Sequence, residues 1–83
     1  PPSYRGSLKQ GDQHTTVTWL REKLNLLHPE LTLGSSERFD EELLDVVRRF
    51  QEQEELVADG IVGPLTWIRL ADRLELPAPK LGS

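Results

Sequence analysis

The chain contains no cysteine. Disulfides and thiolate zinc sites are therefore excluded, although that absence does not fix a compartment, since cytosolic and periplasmic domains can both lack it. Long apolar runs are missing as well. No stretch approaches the roughly 20 residues of a membrane span, and no signal peptide is visible. The first residue is Pro1, so the sequence reads as an excised domain, with any targeting information expected outside it. A basic surplus is also lacking: ten Lys and Arg stand against fourteen Asp and Glu, a net charge of −4. Phosphate-backbone binders normally carry a concentrated basic surface, so nucleic acid is not an expected partner. The 83 residues suit one domain with a small core.

Three helical patterns are present. Val17, Leu20, Leu24 and Leu27 recur at i, i+3, i+7 and i+10 and predict a helix over 15–27. Trp19, Lys23 and Leu26 form a second, partly apolar stripe. Asp12 or Thr15 is the expected cap, and His28-Pro29 the stop. Leu43, Val46, Val47 and Phe50 mark a second helix over 41–54, capped by Asp40, with Glu41 and Glu42 opposing the positive helix end. Its outer face carries Asp45, Arg48, Arg49, Glu52 and Glu55. Gly63-Pro64 opens a third helix over 64–74, where Trp67, Leu70, Ala71 and Leu74 repeat the spacing. The ends are rich in Pro, Gly and Ser. Residues 1–7 read as a linker, 8–76 as the folded body and 77–83 as a flexible tail.

Between the helices, residues 30–39 alternate polar and apolar and are expected to hold a short extended piece. Residues 56–63 set two apolar pairs around Asp59-Gly60, a tight-turn dipeptide, which makes either two short β-bridges or a packed loop. Phe39–Val47 can be laid over Val62–Leu70, a faint internal repeat in which each copy is an apolar residue, a cap and an amphipathic helix. The expected fold is all-α: a compact three-helix bundle with short connecting loops and approximate internal symmetry.

Catalytic chemistry is sparse. His14 and His28 are 14 positions apart, not at the i, i+4 spacing that brings two imidazoles to one metal, and they read as surface residues. Asp12 and His14 lack a third ligand. No nucleophile elbow surrounds any serine, and the carboxylates fall mostly on outward helix faces. A noncatalytic domain without metal or cofactor is expected. Binding chemistry is richer. Asp59–Trp67 leads a glycine-containing loop into a helix N-terminus, where unpaired amides can receive an anion such as a carboxylate. Each residue there also has a plain structural use. Asp59 can bond loop amides, Gly60 can supply a positive φ, Thr66 can cap, and Trp67 can belong to the core. Gln51 either bonds the Asp59 loop or points into a groove. Arg48 and Arg49 are either solvated or paired with Asp45 and Glu52. Trp19 is either a partly exposed aromatic or packed under the loop of the 30s.

Val46-Val47-Arg48-Arg49-Phe50-Gln51, followed by Leu56, Asp59-Gly60, Ile61-Val62, Gly63-Pro64, Thr66-Trp67 and Leu70, closely resembles the peptidoglycan-binding domain family. Leu8-Lys9-Gln10-Gly11, then Val17 and Leu20, resembles that family's opening pattern. The resemblance covers about residues 8–74. There are departures. His14 stands where the family often has Gly, Arg21 where it has Gln, and Glu55 where it has Gly before Leu56. Phe39-Asp40-Glu41-Glu42-Leu43 replaces the first aromatic-Gly-x-x-Thr turn, while Gly63-x-x-Thr66 is intact. The resemblance implies a three-helix module that attaches a larger protein to the bacterial wall, as in wall hydrolases, carboxypeptidases and spore-cortex enzymes. A related domain forms the pro-region of matrix metalloproteinases, whose Cys-bearing motif is absent here. The stretch from Val46 to Leu70 also looks like the C-terminal periplasmic domain of the general secretion pathway assembly ATPase, protein A of type II secretion.

The expected function is therefore noncatalytic peptidoglycan binding in the periplasm or cell envelope. Glycan, stem peptide or both would be the ligand, with no membrane contact by this fragment. Expected ligand-binding residues are Asp59, Gly60, Gly63, Thr66, Gln51, Arg48 and Trp19. A net charge of −4 offers no long-range attraction to an acidic wall, so contact depends on shape and hydrogen bonds. The alternative is a protein-interaction or oligomerisation domain of the same fold, in which Trp19 and Leu26 make a helix-face contact with another envelope protein or a second copy.

Overall fold

The computed structural model describes residues 7–74. The expected linker, Ser7 apart, the tail and the last two residues of the expected body lie outside the described residues. Helix α1 spans Thr15–Leu27, α2 Glu41–Gln53 and α3 Pro64–Leu74; a single 3-10 turn at Pro29–Leu31 follows α1. Among the described residues no strand forms, and this is the all-α three-helix arrangement. Two isolated antiparallel bridges tie the connections together, Leu8 to Val62 and Gln13 to Arg38. Thus the 56–63 loop contributes one bridge, and the extended piece in the 30s contributes its own.

The stripes make the core. Val17, Leu20 and Leu24 of α1, Leu43, Val47 and Phe50 of α2 and Leu70 of α3 are buried, joined by Leu8, Leu33, Phe39 and Val62 from the connections. Leu27, Val46, Trp67 and Leu74 pack against this cluster only partly buried. Removing such surface from water is the main term holding a domain this small together.

The caps differ in part from expectation. Asp40 caps α2, its Oδ1 accepting from the Leu43 amide at 3.0 Å. The α1 cap is neither Asp12 nor Thr15 but His14, whose Nδ1 accepts from the Thr16 amide at 3.0 Å. Asp12 is committed elsewhere: its Oδ2 accepts from the Lys9 amide and its Oδ1 lies 3.6 Å from Lys9 Nζ. Thr15 already lies within the helix. Of the two states open to Arg48 and Arg49, solvated or paired with Asp45 and Glu52, the solvated one is observed. Among the described residues neither arginine has a carboxylate within ion-pair distance.

Helix α2 ends in a Schellman turn. The Leu56 amide donates to the Gln51 carbonyl at 2.8 Å and the Glu55 amide to the Glu52 carbonyl at 3.1 Å. This geometry puts Glu55 at φ +59°, a left-handed conformation that costs a residue with a Cβ about 1–2 kcal/mol. Glycine would adopt it freely but would lose more entropy on folding. Glu55→Gly is accordingly expected to raise stability by about 0.5–1 kcal/mol, seen as a higher urea midpoint at unchanged slope.

The two connections between helices are held by contacts of similar form. From α2, the Gln51 side chain donates to the carbonyl of Ile61, two residues before Gly63. From α1, Arg21 Nη2 donates at 2.6 Å to the carbonyl of Arg38, two residues before Asp40. Arg21 Nη1 adds a 2.7 Å bond to the Leu33 carbonyl, and Nη2 lies 3.2 Å from Asp40 Oδ1. Each half is therefore closed by one buried polar side chain clasping the loop that precedes the next helix. Arg21 is 2% exposed, and its Nε has no hydrogen-bond partner among the described residues. Thr18 and Asn25, three residues before and four after Arg21, bond the same loop at Ser35, Ser36 and Leu33.

A second ionic cluster fixes α3 to the end of α2. Glu54 is buried; Arg73 Nε donates to its Oε2, while Arg69 Nη1 donates to its backbone carbonyl at 3.0 Å. The Arg73 hydrogen bond holds the Glu54 carboxyl below its ordinary range, with Arg69 assisting. Asp40 is held low first by the Leu43 amide and then by Arg21. Both groups bind protons more weakly folded than unfolded, so their stabilisation is present at neutral pH. It is lost as pH falls from the ordinary carboxylate range, about 4, through the lower folded values. Urea midpoints are expected to drop steeply below about pH 4.5, and to drop less in an Asp40→Asn, Glu54→Gln double variant. Equal acid slopes in the two proteins would contradict this assignment.

Candidate functional site

The connection between α2 and α3 runs from the Schellman turn to Gly63 and turns sharply at Asp59-Gly60. Asp59 Oδ1 accepts from the Ile61 amide at 2.9 Å, which shapes the turn. Gly60 sits at φ +77°, and a Cβ there would stand 2.3 Å from Leu44 Cδ1. The positive φ therefore calls for glycine, and a Cβ would also oblige the tip of Leu44 to move.

Behind the turn lies Gln51, 1% exposed. Its two Nε2 hydrogens are shared among Asp59 Oδ1 at 3.3 Å, the Ile61 carbonyl at 2.9 Å and Thr66 Oγ1 at 3.1 Å. Its Oε1 accepts from the Gly60 amide at 2.9 Å. One amide side chain thus joins α2, the turn and the first turn of α3. The polar apex between loop and helix is filled by the protein's own group. Of the two uses open to Gln51, the bond to the loop is the one observed.

In front of this apex is an open cavity of about 310 Å³, lined by Gln51, Leu56, Val57, Asp59, Ile61, Gly63, Pro64, Leu65 and Thr66. Its floor is the Gln51–Thr66 pair; its rim is apolar. Val57 is 80% and Leu65 65% exposed, and Ile61 is also exposed. Exposed apolar side chains gathered around one concavity mark a contact surface more strongly than scattered ones do. Asp59 stands at the mouth. Its Oδ1 is committed, whereas its Oδ2 makes no hydrogen bond among the described residues.

Five of the seven sequence-derived site residues meet here: Gln51, Asp59, Gly63 and Thr66 line the cavity, and Gly60 turns the loop behind it. Arg48 does not line it. Its Nε lies 3.6 Å from the place a Gly60 Cβ would take, on the side of the turn facing α2. Trp19 is elsewhere, on α1, its ring 5.5 Å from that of Trp67 and tilted by 57°. Lys23 Nζ stands 5.2 Å above the Trp19 ring, so one aromatic face is already occupied by a cation. Sequence reasoning missed Val57, Ile61 and Leu65 as rim residues. The signal was present in the adjacent apolar pairs Leu56-Val57 and Ile61-Val62. Two neighbours in an extended loop cannot both face inward, and here Val62 is buried while Ile61 is exposed.

A family model described as "Putative peptidoglycan binding domain" matches residues 13–70. The chain belongs to that family. Neither a curated protein nor a solved structure gives a significant match. The matched span includes α1, α2, the turn at Asp59-Gly60 and all but the last turn of α3. In this member of the peptidoglycan binding domain family, Arg21 is buried against the connection that precedes α2. Arg21 pairs with Asp40 and bonds the Arg38 carbonyl, so a charged side chain ties α1 to the start of α2. No group of three His, Asp or Glu side chains among the described residues is placed to hold a metal ion. No helix among them is long and apolar enough to cross a membrane.

Proposed function

We propose that this domain binds bacterial peptidoglycan without catalysing a reaction on it, through the cavity between the Asp59-Gly60 turn and the start of α3. The observation that carries the proposal is the position of that cavity. It lies within the span that the family model matches, and its walls include Gly63 and Thr66 of the intact Gly-x-x-Thr turn.

The lining favours a particular kind of group. Methyls belonging to an acetamido, lactyl or alanyl unit fit the rim of Val57, Ile61 and Leu65. An amide N–H or hydroxyl fits the uncommitted oxygen of Asp59 at the mouth. A carboxylate would face the Asp59 charge, so an uncharged amide- or hydroxyl-bearing unit is preferred over the anion that the helix N-terminus alone suggests. Gln51, Gly60, Gly63 and Thr66 act as the frame that holds the cavity open, and Arg48 buttresses the turn. Trp19 lies outside the proposed site. Such a shallow site binds weakly alone, and a repeating polymer supplies retention through many weak contacts.

In this proposal the domain anchors a larger protein at the cell envelope or in the periplasm. The likeness between Val46 and Leu70 to the secretion-assembly ATPase domain supports a role in building a secretion apparatus across the wall. Co-sedimentation with purified sacculi tests the binding. The domain is expected to pellet with the wall, and Val57→Asp or Leu65→Asp, both at exposed positions, to weaken pelleting roughly tenfold with the fold unchanged. A parent domain that stays in the supernatant at every salt concentration and pH tried overturns the proposal.

A further inference from the structure

On the other side of α2 lies a second concavity that shares no residue with the first. A cavity of about 250 Å³ and one of about 110 Å³ have His28, Phe50 and Gln53 in common, so they form one furrow beneath the end of α1 and the 3-10 turn. Arg49 and Gln53, one helical turn apart on α2, line it, and neither side chain has a hydrogen-bond or ion-pair partner among the described residues. Glu30 faces them from the 3-10 turn; its Oε2 lies 3.7 Å from His28 Nδ1. At the far end Arg73 is consumed by Glu54 and adds no free charge. One uncommitted cation and one exposed carboxylate thus border a floor made by Leu31 and Phe50.

We propose that this furrow binds a zwitterionic amino-acid unit, one that carries a free ammonium and a free carboxylate close together. The carboxylate meets the Arg49 guanidinium, with the Gln53 amide as a second donor. The ammonium meets Glu30, and the aliphatic stem lies over Leu31 and Phe50. A simple anion is disfavoured by Glu30 and a simple cation by Arg49, so the balance of charges selects a unit that carries both. Diamino-acid side chains of wall stem peptides have this chemistry. The choice of that ligand class rests on the peptidoglycan proposal, whereas the furrow itself is separate from the cavity at Val57 and Leu65.

The test is a heteronuclear NMR titration of the whole chain with a synthetic stem tripeptide ending in meso-diaminopimelate. Two control peptides are needed, one with the side-chain carboxylate amidated and one with the side-chain amine acetylated. Expected are shifts at Arg49 Nε–H and the Gln53 side-chain amide, about tenfold weaker binding for each control, and about tenfold weaker binding of the parent peptide by Arg49→Ala. Equal binding of all three peptides, shifts confined to residues 57–66, or no shifts at all would overturn the inference. Sacculus pelleting that depends on Val57 and Leu65 would leave the first site standing in any of these cases.

Discussion

Arg21→Ala is expected to cost about 3–5 kcal/mol, because it removes a large, fully buried side chain and leaves two carbonyls without their donor. A domain of this length commands only roughly 4–12 kcal/mol in total, so the variant should be partly unfolded at ambient temperature or close to it. Truncation strands the carbonyls of Leu33 and Arg38 and leaves a void where a large, fully buried side chain stood. It also deprives the α2 cap, Asp40, of its cation. Arg21→Gln discriminates between mechanisms. A glutamine at the equivalent position of the second half reaches the carbonyl two residues before the next turn, so it should restore the Arg38 bond but not the one to Leu33. Urea denaturation should place it between the parent and the alanine variant. An alanine variant within about 1 kcal/mol of the parent, a typical value for a single hydrogen bond, would mean that Arg21 is not the clasp of this half.

Gln51→Ala should cost about 3 kcal/mol without removing any net charge. Four polar groups lose a partner together: the Gly60 amide, the Ile61 carbonyl, the Thr66 hydroxyl and Asp59 Oδ1. Stranded buried groups cost about 1–3 kcal/mol each, with relaxation toward water recovering part of that near the open cavity. Two measurements check this. The urea midpoint should fall by the stated amount, and the Gly60 amide should exchange with solvent far faster than in the parent at a pH where both are folded. Unchanged protection at Gly60 would place the turn's stability in Asp59 instead. Because Gln51 itself does not titrate, the loss should vary little with pH above the carboxylate range.

The helices were legible because their signals are local. An apolar stripe of period 3.6, Asp40 before two glutamates and Pro64 after a glycine each act within a few residues. The clasps were not legible to the same degree. Arg21 reaches residues 12 and 17 positions away and Glu54 reaches 15 and 19, and nothing in a linear pattern separates such an arginine from one in solvent. Arg21 was visible only as a departure from a family pattern; its role needed the fold. His14 as a cap was hidden because Asp12 and Thr15 are better capping types, and Lys9 had already claimed Asp12. The site was half legible. The Asp-Gly turn and Gly63-Pro64 point to it, but which member of each apolar pair faces outward depends on the bridge at Val62.

That bridge has a mechanical consequence. Leu8 exchanges two backbone hydrogen bonds with Val62, at 3.1 and 2.8 Å, beside residues that line the proposed wall site. Tension drawn through the polypeptide preceding Leu8 would reach the loop of the proposed site across those bonds. A tether pulling from that end would therefore load the proposed site directly, whereas one attached beyond α3 would spread its load through the helix and the Arg69–Arg73 clamp on Glu54.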